Sequence, residues 1–138
     1  MKKILVAVDG SGPSMVAARL ALELARATGA TLTAAYSVAP LVVPGEVAFP
    51  VMSDLLAAEQ TRGQAVLEDV VKALGAPDVR TLLLSGSPAE RLAEVATQDE
   101  YDLVVVGSRG RNAVARVLLG SVADRLMHIC TRPVLVAR

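Results

Sequence analysis

The chain has 138 residues, 53% of them hydrophobic, and fourteen basic side chains balance fourteen acidic ones. That is one domain with room for a core and no basic excess to attract nucleic acid; two Tyr, one Phe and no Trp leave no stacking platform for bases. No apolar run approaches the roughly 18 residues of a membrane span, the opening apolar stretch is too short for a signal peptide, and the single cysteine, Cys130, fits a reducing compartment, so the cytoplasm is expected.

Lys3–Asp9 reads as the first strand, with Ile4 to Val8 uninterrupted and apolar, as in a parallel sheet covered on both faces. Asp9 stands at its carboxyl end. Ser11, Gly12 and Pro13 open a helix whose inward stripe is expected at Val16, Leu20 and Leu24, and Gly29 closes it. Ala30–Val38 is the second strand. Residues 39–50, with Pro40, Pro44, Gly45 and Pro50, predict a long surface connection, and a flap over a ligand or a partner contact is the alternative. A second helix is expected over Met52–Leu74, with Leu55, Leu56, Val66, Leu67, Val70, Val71 and Leu74 inward. Val79–Leu84 is the third strand. Ser87-Pro88-Ala89-Glu90 reads as a capping box opening a third helix, with Leu92, Val95 and Ala96 inward. Asp102–Val106 is the fourth strand. Val114, Val117, Leu118, Val122, Leu126 and Ile129 then recur at helical spacing, and Pro133–Ala137 is the fifth strand. Alternating strands and helices with right-handed crossovers give an α/β fold, an open parallel sheet with helices on both faces.

Gly107–Ser121, G-S-R-G-R-N-A-V-A-R-V-L-L-G-S, lies where the fourth strand gives way to the last helix. Ligands bind at the carboxyl ends of strands in such sheets. Gly107 and Gly110 let main chain approach a ligand, and Gly120-Ser121 brings bare N–H groups and a hydroxyl to a helix start, where the dipole favours an anion. Residues 107–138 carry Arg109, Arg111, Arg116, Arg125, Arg132 and Arg138 against Asp124 alone. The chemistry this suits is a phosphate cradle. It is not a Walker loop, since no Lys follows Lys72, nor a dinucleotide fingerprint, since the turn after the first strand has only Gly10 and Gly12. Ser121 also reads as a simple helix cap, because Ser121-Val122-Ala123-Asp124 is S-x-x-D.

The glycine spacing resembles the nucleotide-binding motif of the universal stress protein family, in its ATP-binding branch. Met1–Ser11 is similar to that family's opening strand and Arg132–Val136 to its closing one, so the likeness runs through residues 1–138 in order, as one domain. It implies a Rossmann-like sheet of the adenine nucleotide alpha hydrolase-like kind, with five strands in the order 3-2-1-4-5. A crevice is then expected between strands one and four, flanked by the loops after Asp9 and after Val106.

Carried over residue by residue, the resemblance places Asp9 near adenine and ribose, and Ala7 and Val38 around the base. Gly107, Arg109 and Gly110 would line ribose and phosphates, Gly120, Ser121 and Val122 would donate to phosphates, and Ser108 and Ala123 are candidates by adjacency. The implied ligand is ATP, ADP or AMP, with Mg²⁺ or Mn²⁺ arriving through the phosphates. The implied partner is a second copy, a homodimer paired through Pro133–Ala137; no nucleic-acid or membrane partner is expected. His128, the only histidine, cannot make a zinc site alone and reads as structural or solvent-facing. Cys130 reads as a buried inert thiol. No catalytic constellation is legible, and the acidic cluster and late lysine of a receiver domain are missing. The expected function is a nucleotide-occupied regulatory switch in stress response. The alternatives are a nucleotide-independent dimeric interaction module and a weak ATP hydrolase.

Overall fold

The computed structural model describes residues 1–40, 45, 46, 48–110 and 119–138. Val114, Val117, Leu118, Arg111 and Arg116, named above for the last helix and the basic cluster, lie outside them, as does most of the connection after Pro40. The elements in chain order are β1 (Lys3–Ala7), α1 (Gly12–Thr28), β2 (Thr31–Val38), α2 (Phe49–Leu74), β3 (Arg80–Ser85), α3 (Pro88–Gln98), β4 (Leu103–Gly107), α4 (Ser121–Ile129) and β5 (Val134–Ala137). The strands form one sheet in the order β3-β2-β1-β4-β5, every pair parallel.

Because side chains alternate across a strand, each strand feeds two cores. Ile4, Val6 and Val8 point with Ala34, Tyr36 and Val38 to the face covered by α1 and α2, where Ala17, Ala21, Leu67 and Val70 are buried. Leu5 and Ala35 point with Val104 and Val106 to the face covered by α3 and α4, where Leu92, Val95, Ala96 and Leu126 are buried, as the third helix's spacing predicts. At the lower end of the sheet the Asp102 carboxylate accepts from the Lys2 and Lys3 amides at 2.7 and 2.9 Å, tying β4 to β1. Those two N–H bonds hold its pKa below the ordinary carboxylate value.

Three local expectations are corrected. Val16 is exposed, whereas Leu20 and Leu24, half-buried, pack against the core as expected; the buried face of α1 is made of Ala17, Ala18, Ala21, Leu22 and Ala25. Small side chains let this helix lie close to the strands, which turns Val16 outward. The second helix begins at Phe49 with Pro50 in its first turn, three residues before the expected Met52. Its 26 residues extend about 39 Å, beyond the roughly 26 Å of the eight-residue β2. The overhang leaves Phe49, Val51, Leu55 and Leu56 exposed, where Leu55 and Leu56 are expected inward. At the start of α3, Ser87 occupies the N-cap but its side chain makes no cap bond. The box is unclosed because Glu90 accepts from Arg125 Nε of α4 at 2.9 Å instead.

Among the described residues no helix is long and apolar enough to cross a membrane.

Candidate functional site

The sheet splits at its upper end. β1 and β4 pair only through Val6↔Val105, whereas β1 continues with β2 to Ala7↔Ala35 and β4 with β5 to Gly107↔Ala137. Over the split lies a cavity of about 420 Å³, within the ~300–1,000 Å³ of small-ligand sites. Ala7, Asp9, Gly107, Arg109, Gly110, Gly120, Ser121, Val122 and Ala123 all line it.

The loop after β1 is closed on itself. Asp9 Oδ1 accepts from the Ser11 amide at 2.9 Å, and Ser11 Oγ, the N-cap of α1, accepts from the Ser14 amide at 3.2 Å. The buried Ser14 hydroxyl donates to the Ser11 carbonyl at 3.0 Å and accepts from the Asp9 amide at 3.3 Å. Gly10 turns the chain with φ +85°, a conformation other residues rarely adopt. These bonds fix where the Asp9 side chain stands.

The loop after β4 is packed against this turn. A Cβ on Gly107 would lie 2.7 Å from the Pro13 carbonyl oxygen, and one on Gly110 would lie 3.1 Å from Asp9 Oδ2. Gly107 therefore answers a close approach of backbones, and Gly110 brings its loop against the Asp9 carboxylate. A Cβ on Gly120 would lie 3.1 Å from Arg109 Cα, so the two ends of the motif are stacked main chain on main chain.

α4 begins at Ser121 with Gly120 as its N-cap. The Gly120 N–H, expected to serve a ligand, donates to the Ser108 carbonyl at 2.5 Å instead. Ser121 is not the cap: the N-cap is Gly120, which has no side chain to give. The first intrahelical bond runs from Asp124 N to Gly120 O. The amides of Ser121, Val122 and Ala123 are thus first-turn donors without intrahelical acceptors, in residues that line the cavity.

Two candidate residues do not line the cavity. Val38 is buried in the α1/α2 core, and its carbonyl accepts from the Gly86 amide; Ala35, Tyr36, Ser37 and Ala39 are the lining residues around it. Ser108 donates its amide to the Ala137 carbonyl at 2.8 Å. It borders a separate recess of about 360 Å³ with Pro13, Val16, Arg109 and Arg138. Arg125 is engaged with Glu90 outside the cavity. Asp9, Glu59 and Arg109 are the charged side chains among the lining residues described.

The sequence reading missed Ser14, Ser37, Ala39 and Glu59, together with Pro88 and Leu92 from the start of α3. Strand order held the signal for the β2 positions, because β2 lies beside β1 at the split. His128 is exposed, its Nδ1 lying 2.7 Å from the Asp124 carbonyl oxygen one turn back. Cys130 is half-buried against the α3/α4 core, less enclosed than expected because it follows the last turn of α4. Among the described residues no three His, Cys, Asp or Glu side chains gather to hold a metal ion.

The family model of the universal stress protein family matches residues 1–138. A universal stress protein of Methanocaldococcus jannaschii is 37% identical, the match covering 99% of this chain and 82% of that protein. The solved structure of universal stress protein UspA from Lactobacillus plantarum superposes with a TM-score of 0.88 at 30% identity, covering 99% of this chain and 97% of that one. A second solved universal stress protein, in complex with cAMP, superposes with a TM-score of 0.67 at 29% identity, covering 99% of this chain and 96% of its own. Sheet order, helix placement and the match along the whole chain agree: this protein belongs to the universal stress protein family.

Proposed function

We propose that the cavity binds an adenine nucleotide, ATP or its di- or monophosphate, and that occupancy acts as a regulatory switch in a cytoplasmic stress response. The observation that carries the reading is the uncapped start of α4. The first three residues of α4 line the cavity, and first-turn amides with the positive end of the helix dipole stabilise an anion. Asp9, fixed at the end of β1, faces the same space and accepts hydrogen bonds from amine or hydroxyl groups. The relative solved with cAMP supports an adenine nucleotide as ligand class. Mg²⁺ or Mn²⁺ is proposed to arrive with the phosphates, in keeping with how Mg²⁺ binds.

The test starts with purified protein: denaturation should release an adenine nucleotide, or the empty protein should titrate with Mg-ATP. Gly120→Val puts a branched side chain where a Cβ already meets Arg109 Cα at 3.1 Å. It should weaken ATP binding by about 100-fold or more, the loss of more than one bond to a charged group, while the protein stays folded by circular dichroism. Wild-type affinity in that variant would refute the cradle.

The proposal includes a homodimer. β5 is a sheet edge, and its Pro133 and Ala137 carbonyls bond to β4, so the period of two turns the polar backbone of Val134 and Val136 outward. Light scattering should give two copies for the wild type and one for Val136→Pro, which removes an outward N–H. A monomeric wild type at tens of micromolar would overturn this part. A nucleotide-independent interaction module is the second reading, favoured by the exposed Phe49, Val51, Leu55 and Leu56 on α2. Full stress function in a nucleotide-blind Gly120→Val strain would establish it.

A further inference from the structure

One charged residue lining the cavity sits in an unexpected place. Met52, Glu59, Gly63, Val66 and Val70 recur along α2 at spacings compatible with one helical stripe, and that stripe faces the sheet. Gly63 packs so closely that a Cβ there would lie 2.7 Å from both Tyr36 Cδ1 and Leu83 Cδ1. Glu59 is one turn nearer the start of α2, on the same side, and lines the cavity beside Ser37 and Ala39. From Ser53 to Arg62 every residue except Glu59 is exposed, Leu55 and Leu56 included. Glu59 therefore holds an inward position that a helix of this pattern fills with an apolar side chain. Among the described residues it has no hydrogen-bond or ion-pair partner.

Its location gives the cavity two chemically different ends. The β4 end carries the N–H groups of Ser121, Val122 and Ala123. Glu59 stands at the β2 end, and β1 lies between the two strands, so the ends are about 10 Å apart at ordinary strand spacing. A carboxylate repels phosphate but accepts a hydrogen bond from N–H or O–H. The ligand that satisfies both ends is anionic at one and donor-bearing at the other. We infer that Glu59 is a specificity-determining residue that accepts a hydrogen bond from the nucleoside end of the ligand, from a ribose hydroxyl or the exocyclic amine of the base. This rests on the proposed nucleotide binding, and adds to it a residue that selects the nucleoside.

The test is calorimetric titration of wild type and Glu59→Ala with ATP, 2′-deoxy-ATP and inosine triphosphate, which lacks the exocyclic amine. Alanine keeps the helix propensity high, so the variant retains its fold. Wild type should bind ATP about tenfold or more tighter than one of the two analogues, the difference expected of a hydrogen bond to a charged group. The analogue that binds weakly identifies the donor. In Glu59→Ala, ATP should fall to that analogue's affinity while the analogue itself is unchanged. Equal loss for all three ligands, no loss, or tighter binding once the carboxylate is gone would each overturn the inference while leaving nucleotide binding intact. A wild type that binds none of the three at millimolar concentration would overturn both.

Discussion

Two helices start at the upper edge of the same sheet, and their first turns are built in opposite ways. α1 is closed: Ser11 caps it, Ser14 folds back onto Ser11, and Asp9 holds the Ser11 amide. α4 opens behind a glycine that has no side chain to give, and its first-turn residues line the cavity. Self-satisfied polar groups make a rigid wall, whereas unsatisfied ones make a binding surface. The two are locked together by glycine, since Gly107 lies against Pro13 and Gly110 against Asp9. The proposed division of labour is that α1 and its turn supply geometry and α4 supplies affinity.

The junction is where the largest effect on stability is expected. Gly107→Ala forces a Cβ to within 2.7 Å of the Pro13 carbonyl oxygen, a backbone atom that cannot swing away. Overpacking of this kind costs about 1–3 kcal/mol, and thermal unfolding should drop by several degrees. An unchanged midpoint would mean the two loops are not held together as described.

Ser121→Pro separates affinity from stability. Proline is favoured in the first turn of a helix, and Gly120, at φ −69° and ψ 157°, already has the extended conformation that a following proline requires. The variant loses one N–H and one hydroxyl and little else. ATP affinity should fall about tenfold with the unfolding midpoint nearly constant; retention of full affinity would remove this amide from the cradle. Ser11→Ala is the mirror experiment. It deletes the α1 cap, costing about 1 kcal/mol of stability, and should leave ATP affinity within about twofold. A large affinity loss there would mean α1 is part of the binding surface after all.

The smallest effect concerns the far end of the sheet. Asp102 has its pKa lowered by the Lys2 and Lys3 amides. A group of that kind contributes stability above its unfolded pKa, near 4, and the contribution is lost as pH falls through the lower folded value. As pH falls below about 4, the unfolded value, the unfolding midpoint should fall less steeply in Asp102→Asn than in wild type. Equal slopes would assign the acid sensitivity to other carboxylates.

Much of this organisation was legible in the sequence, for physical reasons that can be named. Continuous apolar strands signal a sheet covered on both faces, and glycines at a strand end mark where backbones approach. The misreadings are equally specific. Val38 is buried while Ala35, Tyr36, Ser37 and Ala39 around it line the cavity, a difference of one position at a strand end that composition does not resolve. Val16 reads as inward until the close seating of the alanine face of α1 is known. The carbonyl of Ser108, which takes the Gly120 amide, and the hold of Arg125 on Glu90 are contacts between segments distant in sequence. Glu59 could have been found, since an acid in an apolar helical stripe is visible without a structure. Its meaning depends on knowing that the stripe reaches the cavity.

The central claim is that the open start of α4, and not the closed start of α1, receives the anionic part of the ligand. Amide resonances followed during a Mg-ATP titration test it directly. Saturable shifts should be largest at Ser121, Val122 and Ala123, with the Ser14 amide, already bonded to Ser11, nearly still. Saturation with the shifts centred on residues 11–14, or no shift at millimolar ATP, would contradict it.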